Sequence, residues 1–65
     1  MAPKILTMRE VGVMTRKSVD TLRYYRRLGA GPKSFRLGRT VVYDEADVIA
    51  WINEQREQSE PQGAA

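Results

Sequence analysis

The chain has 65 residues, eleven Lys and Arg against eight Asp and Glu, and neither cysteine nor histidine. That size allows one small domain, and without Cys or His there is no disulfide and no usual zinc site. No apolar run approaches the roughly 20 residues that span a bilayer, and no nucleophile–base pair, metal cluster or phosphate loop is present, so a non-enzymatic cytoplasmic protein without a cofactor is expected.

The net charge of +3 is unevenly spread. Residues 15–39 hold eight cations against Asp20 alone, a local charge of +7, while the rest of the chain sums to −4. A basic block confined to part of a small fold is a footprint for a polyanion, with a merely solvated basic face as the alternative.

Residues 1–6 read as a lead-in whose Ile5 and Leu6 tuck under the first helix. Thr7-Met8-Arg9-Glu10 has the form of a capping box and predicts a helix over about residues 8–15, with Val11 and Met14 inward. Gly12 in its middle costs about 1 kcal/mol relative to alanine, which fits close backbone approach to the second helix. Val13 points away from that face as a surface valine.

Thr15-Arg16-Lys17 connects to a second helix capped by Ser18 and stopped by Gly29. At about 100° per residue, Leu22, Tyr25 and Leu28 fall on one side, and Asp20, Arg23, Tyr24 and Arg27 on the other. Two short helices joined by three residues, the second one basic, read as a helix-turn-helix whose outward face suits the DNA major groove. Arg23 and Asp20 are the base-reading candidates, since arginine pairs with guanine and a carboxylate accepts from cytosine N4. Asp20 reads equally as a cap for its own helix or as a partner that holds Arg23 or Lys17. Arg16, Lys17, Ser18, Thr21, Tyr24 and Arg27 complete the expected DNA-facing set as contacts to the backbone. Arg26 lies toward the buried side, its stem covering core while its head reaches solvent.

Ala30-Gly31-Pro32 then breaks the chain, and residues 35–43 read as a β-hairpin. A three-residue Gly38-Arg39-Thr40 loop pairs Leu37 with Val41 and Phe35 with Tyr43, which puts all four apolar side chains on one face. A two-residue Gly38-Arg39 loop pairs Leu37 with Thr40 and Phe35 with Val42 instead. The three-residue register is expected, with Arg36 and Val42 facing away from the core. Arg39 at the tip is either a wing residue for the minor groove and its phosphates, joined by Arg36 and Thr40, or an ordinary polar turn residue.

Asp44 caps a third helix, with Asp47 at N3 and Tyr43 and Val48 placed as a hydrophobic staple. Val48, Trp51 and Ile52 continue at helical spacing, and Trp51 reads as core. From Ser59 the periodicity stops, so residues 1–57 form the expected domain and 58–65 a disordered tail. The expected core is Leu6, Val11, Met14, Leu22, Tyr25, Leu28, Phe35, Leu37, Val41, Tyr43, Val48, Trp51 and Ile52. The fold class is α+β, a small winged helix-turn-helix of three helices and a two-stranded hairpin wing.

Thr7-Met8-Arg9-Glu10-Val11, followed by Ser18-Val19-Asp20-Thr21-Leu22-Arg23-Tyr24-Tyr25, resembles the start of MerR-type winged helix-turn-helix domains. Gly31-Pro32, Phe35 through Arg39, Tyr43 and the stretch Asp47-Val48-Ile49-Ala50-Trp51-Ile52 resemble the excisionase and AlpA branch of that superfamily. The resemblance covers about residues 5–55 and departs at Arg16, where such families usually carry glycine. It implies that Thr21, Arg23 and Tyr24 stand at recognition-helix positions that touch DNA, and that Arg36 and Arg39 belong to the wing. MerR regulators carry a long dimerisation helix and an effector domain, and a chain of this length is expected to lack a small-molecule effector. A stand-alone winged helix is similar to phage excisionases, which bind repeated sites cooperatively, bend attachment-site DNA and help a tyrosine integrase excise a prophage. The implied partners are double-stranded DNA in a bacterial host, a tyrosine integrase and neighbouring copies of the same chain. The alternatives are an AlpA-like transcriptional regulator and an interaction adaptor using Val13, Val42 and the acidic third helix.

Overall fold

The computed structural model describes residues 4–63, with side chains placed for 4–59. In chain order these residues form β1 (Ile5–Thr7), α1 (Met8–Thr15), α2 (Val19–Leu28), β2 (Phe35–Leu37), β3 (Thr40–Asp44) and α3 (Glu45–Gly63). The expected α+β winged helix-turn-helix is present, with one addition. Ile5 and Leu6 do not simply tuck under α1: they belong to a third strand, and the antiparallel sheet has the order β1-β3-β2. Leu6 pairs with Tyr43 and Thr7 with Val42, and the Glu45 amide donates to Lys4 O at 2.9 Å at the end of that ladder.

The helix starts follow from their caps. The Thr7 amide donates to Glu10 Oε1 at 2.8 Å and the Glu10 amide to Thr7 Oγ1 at 3.1 Å, which closes a reciprocal capping box. Ser18 Oγ accepts from the Thr21 amide at 3.0 Å. Gly29, at φ 76°, ends α2 in the left-handed region, where glycine meets no Cβ penalty. Asp44 Oδ1 accepts from the Ala46 amide at 3.0 Å to start α3.

One cluster holds the elements together. Leu6, Val11, Leu22, Tyr43 and Val48 are buried in mutual contact, with Met8, Tyr25, Val41 and Ile52 packed against them. Trp51 is half-buried, its ring 6.2 Å from that of Tyr25 and tilted at 53°, an arrangement that suits the quadrupoles of both.

The hairpin departs from the expected register. Phe35 pairs with Val42, Arg36 with Val41 and Leu37 with Thr40, so the loop is the two residues Gly38-Arg39. The position of the glycine explains why. Three-residue loops want a left-handed residue last, whereas a two-residue loop with glycine at its first central position matches the twist of paired strands. Gly38 comes first and has φ 69°. Phe35 and Leu37, expected in the core, are therefore exposed at 42% and 58%, while Val42 is buried at 4%. Strand alternation now places Arg36 on the same face as Val41 and Tyr43, the reverse of the expected orientation. Met14 and Leu28, also expected inward, sit in the last turns of their helices, beyond the cluster, and are exposed.

α3 runs Glu45–Gly63, beyond the boundary expected at residue 57, so residues 58–63 continue the helix. Residues 53–58, Asn-Glu-Gln-Arg-Glu-Gln, are mostly good helix formers that need no buried face, and Ser59 Oγ donates to Gln55 O at 2.9 Å. Residues 64–65 of the expected tail lie outside the described residues.

Gly12 is buried, and a Cβ there would stand 2.7 Å from the Lys17 carbonyl oxygen. That oxygen belongs to backbone and cannot swing aside. Gly12→Ala is expected to lower stability by about 1–3 kcal/mol in urea denaturation, although alanine is the better helix former.

The Tyr43 hydroxyl is buried without a hydrogen-bond partner among the described residues. Burial pushes its pKa above the ordinary tyrosine value, and the charge of Arg26 pulls the other way. The folded state thus holds this proton more tightly than the unfolded chain, so stability falls as pH rises above about 10. Tyr43→Phe is expected to keep or raise stability at pH 7, by up to about 1 kcal/mol, and to reduce the alkaline loss. Urea melts at pH 7 and about pH 11 measure both effects.

Candidate nucleic-acid interface

α2 presents its cationic side to solvent because Leu22, at 1% exposure, and half-buried Tyr25 fix its inner face. Asp20, Arg23, Tyr24 and Arg27 are all exposed, as the helical spacing predicts. Arg23 Nη1 lies 3.4 Å from Asp20 Oδ1, so the geometry brings the acid beside this arginine. Both groups are open to water, and such a surface pair contributes little stability. Its use is to bias where the guanidinium points. Ser18 and Thr21 are engaged in the cap, with Ser18 Oγ donating to Thr21 Oγ1 at 2.9 Å.

The turn before α2 depends on Arg16. It has φ 62° and ψ 33°, and is the one non-glycine with positive φ among the described residues. Its amide and that of Lys17 both donate to Gly12 O. Arg16 thus takes up the conformation that a glycine would adopt without cost.

The hairpin tip carries exposed Arg39 and Thr40, and Arg36 is exposed on β2. Between α2, the start of α1 and the Thr40–Val41 end of β3 beside the hairpin tip lies an open groove of about 720 Å³. Arg9, Arg23, Arg26 and Arg27 line it together with Thr7 and Thr40, and no carboxylate is among the lining residues. Arg26 is tethered at the groove's margin by its Nε, which donates to Ser34 Oγ at 3.0 Å in the adjoining cleft. The recognition-face candidates Arg23 and Arg27 and the wing candidate Thr40 therefore meet at one groove. Arg16 and Lys17 do not join them. They line a second groove of about 450 Å³ with Met14, Tyr25, Trp51 and Arg56, between the helix–helix turn and α3.

A family model for the helix-turn-helix domain matches residues 5–56. The chain belongs to that family. Sequence-specific binding of double-stranded DNA is the activity of this helix-turn-helix domain. No curated protein and no solved structure gives a significant match to the chain. No helix among the described residues is long and apolar enough to cross a membrane, and no group of three or more His, Cys, Asp and Glu side chains able to hold a metal ion comes together there.

Two arginines of this helix-turn-helix domain escape the sequence reading of the interface, Arg9 and Arg26. Arg9 lies outside the basic block, and only the pairing of β1 with β3 brings the first turn of α1 beside Thr40. Arg26 has a helical phase that points it inward, yet its head emerges in the groove.

Arg16→Gly is expected to stabilise the domain by about 1 kcal/mol, because the left-handed backbone disfavours a residue with Cβ. For a domain of this size that raises Tm by about 4–8 °C in a thermal melt.

Proposed function

We propose that this domain is an architectural DNA-binding protein of the excisionase kind, acting in a bacterial host cytoplasm. α2 lies in the major groove, where Arg23 reads guanine and Asp20 aims it or accepts from cytosine. Thr21, Tyr24, Arg27, Arg16, Lys17 and Ser18 hold the backbone in register. The Arg39 tip, with Arg36 and Thr40, reaches the neighbouring minor groove and bends the duplex toward the protein. Copies on adjacent repeats meet through the basic hairpin of one and the acidic Asp44, Glu45 and Glu54 surface of the next. The bent array then assists a tyrosine integrase at an attachment site.

The observation that carries this reading is the shared groove: Arg23 and Arg27 of α2 and Thr40 next to the hairpin tip line the same opening. One duplex can therefore engage both elements.

With about five or six phosphate contacts, log K should fall against log salt with a slope near −5. Arg23→Ala is expected to cost about 1–3 kcal/mol and relax sequence preference. Arg39→Ala is expected to weaken binding and reduce gel-measured bending more than it alters preference. Anisotropy titrations and circular-permutation gels measure these effects, and an intact bend and affinity in Arg39→Ala removes the wing assignment. Footprinting decides the biological role: tandem direct repeats at an attachment site support the excisionase, and an inverted repeat over a promoter supports a transcriptional regulator instead.

A further inference from the structure

We propose that the groove between α2 and the Thr40–Val41 end of β3 holds a single phosphodiester strand, with Arg9 of α1 as a phosphate ligand. The proposal rests on the DNA-binding reading above and adds to it which strand is held and by which residues. Four guanidinium groups line this groove and no carboxylate does; among the described residues only Arg23 of the four has an acid beside it, Asp20 at 3.4 Å. Gathering like charges in a cleft opposes folding of the free protein, so the arrangement makes chemical sense when an anion lies among them.

The shape of a duplex supplies that anion. Adjacent major and minor grooves are separated by one sugar–phosphate strand. With α2 in the major groove and the Arg39 tip in the next minor groove, that strand runs between the two elements, where this opening lies. Successive phosphates then meet Arg27 on one wall and Arg9 on the other, in the forked geometry guanidinium offers to phosphate oxygens, while Arg23 at the groove's edge reaches past them to the bases. Arg26 is already positioned: its Nε is bound to Ser34 Oγ, and its two Nη groups have no partner among the described residues. Thr7 and Thr40 add neutral hydroxyls to the lining. Arg36, the cross-strand neighbour of groove-lining Val41, adds a fifth cation on that face of the sheet.

The backbone is the same in every sequence, so these contacts set affinity and leave preference untouched. Each released counterion changes K by roughly eightfold at 0.1 M salt. Arg9→Gln is the test, with Arg56→Gln on α3 as the control outside this groove, both checked by thermal melting. Anisotropy titrations from about 50 to 200 mM salt use the footprinted duplex and a scrambled one. Arg9→Gln is expected to lose roughly eightfold on both duplexes and to reduce the slope by about 0.9, while Arg56→Gln changes neither. Should Arg9→Gln melt early, Arg9→Lys keeps the charge and is expected to retain the slope while losing affinity equally on both duplexes. Wild-type slope and affinity in a folded Arg9 variant overturn the groove assignment alone. A wild-type protein that binds neither duplex at low salt overturns the DNA-binding reading beneath it.

Discussion

Leu6, Val11, Leu22, Tyr43 and Val48 form the buried cluster of this domain, and each comes from a different element: β1, α1, α2, β3 and α3. Each of these elements sends one buried side chain to this point, and Met8, Tyr25, Val41 and Ile52 pack around it. Trimming any of the buried five leaves a cavity where five elements meet, and large-to-small changes in cores cost about 2–5 kcal/mol. A domain of this size has little stability to spare. The direction of every surface side chain follows from this meeting point, because Leu22 sets the rotation of α2 and Tyr43 sets the facing of β3.

Gly12 acts at the same level. Its missing side chain lets the Lys17 carbonyl come close to α1, and its own carbonyl accepts from the turn that follows. The two helices therefore take a fixed angle through backbone contact, before any side chain contributes. Arg16 completes that turn in a conformation unfavourable for arginine. Strain of this sort persists where the surroundings over-determine it. Here the double acceptance at Gly12 O on one side and the Ser18 cap on the other leave the residue between them little freedom.

The three helices, and all their ends but that of α3, are legible in the sequence because their signals are local. Thr7 with Glu10, Ser18 with Thr21, and Gly29 each act within four residues, and each does in the structure what its chemistry requires. The outward side of α2 was equally readable, since Leu22 and the exposed Arg23 and Tyr24 keep strict helical phase. Pairing between distant segments was not readable. Three residues, Ile5-Leu6-Thr7, are too few to show alternation, and their partner lies nearly forty positions away, so β1 went unseen and Arg9 with it. The hairpin register differs for another reason: the apolar pattern favours a three-residue loop, and the place of Gly38 favours two residues. Turn geometry prevailed, at the expense of leaving Phe35 and Leu37 exposed. The length of α3 reflects intrinsic helix preference, which a search for buried spacing does not detect.

The two edge strands of the sheet are equally short but unequally held. β1 sends Leu6 into the cluster, whereas all three residues of β2 are exposed, so β2 stays in place through its ladder to β3 alone. Backbone amides of β2 are consequently expected to exchange with solvent before those of β1, as the hairpin's outer strand opens more readily than the rest of the sheet. On the proposed reading, a duplex closing on Arg39 first quiets that motion. In that proposed complex part of the attraction between arginine and phosphate goes into the ordering, so that Phe35 and Leu37, through the strand's stability alone, would tune affinity at the tip.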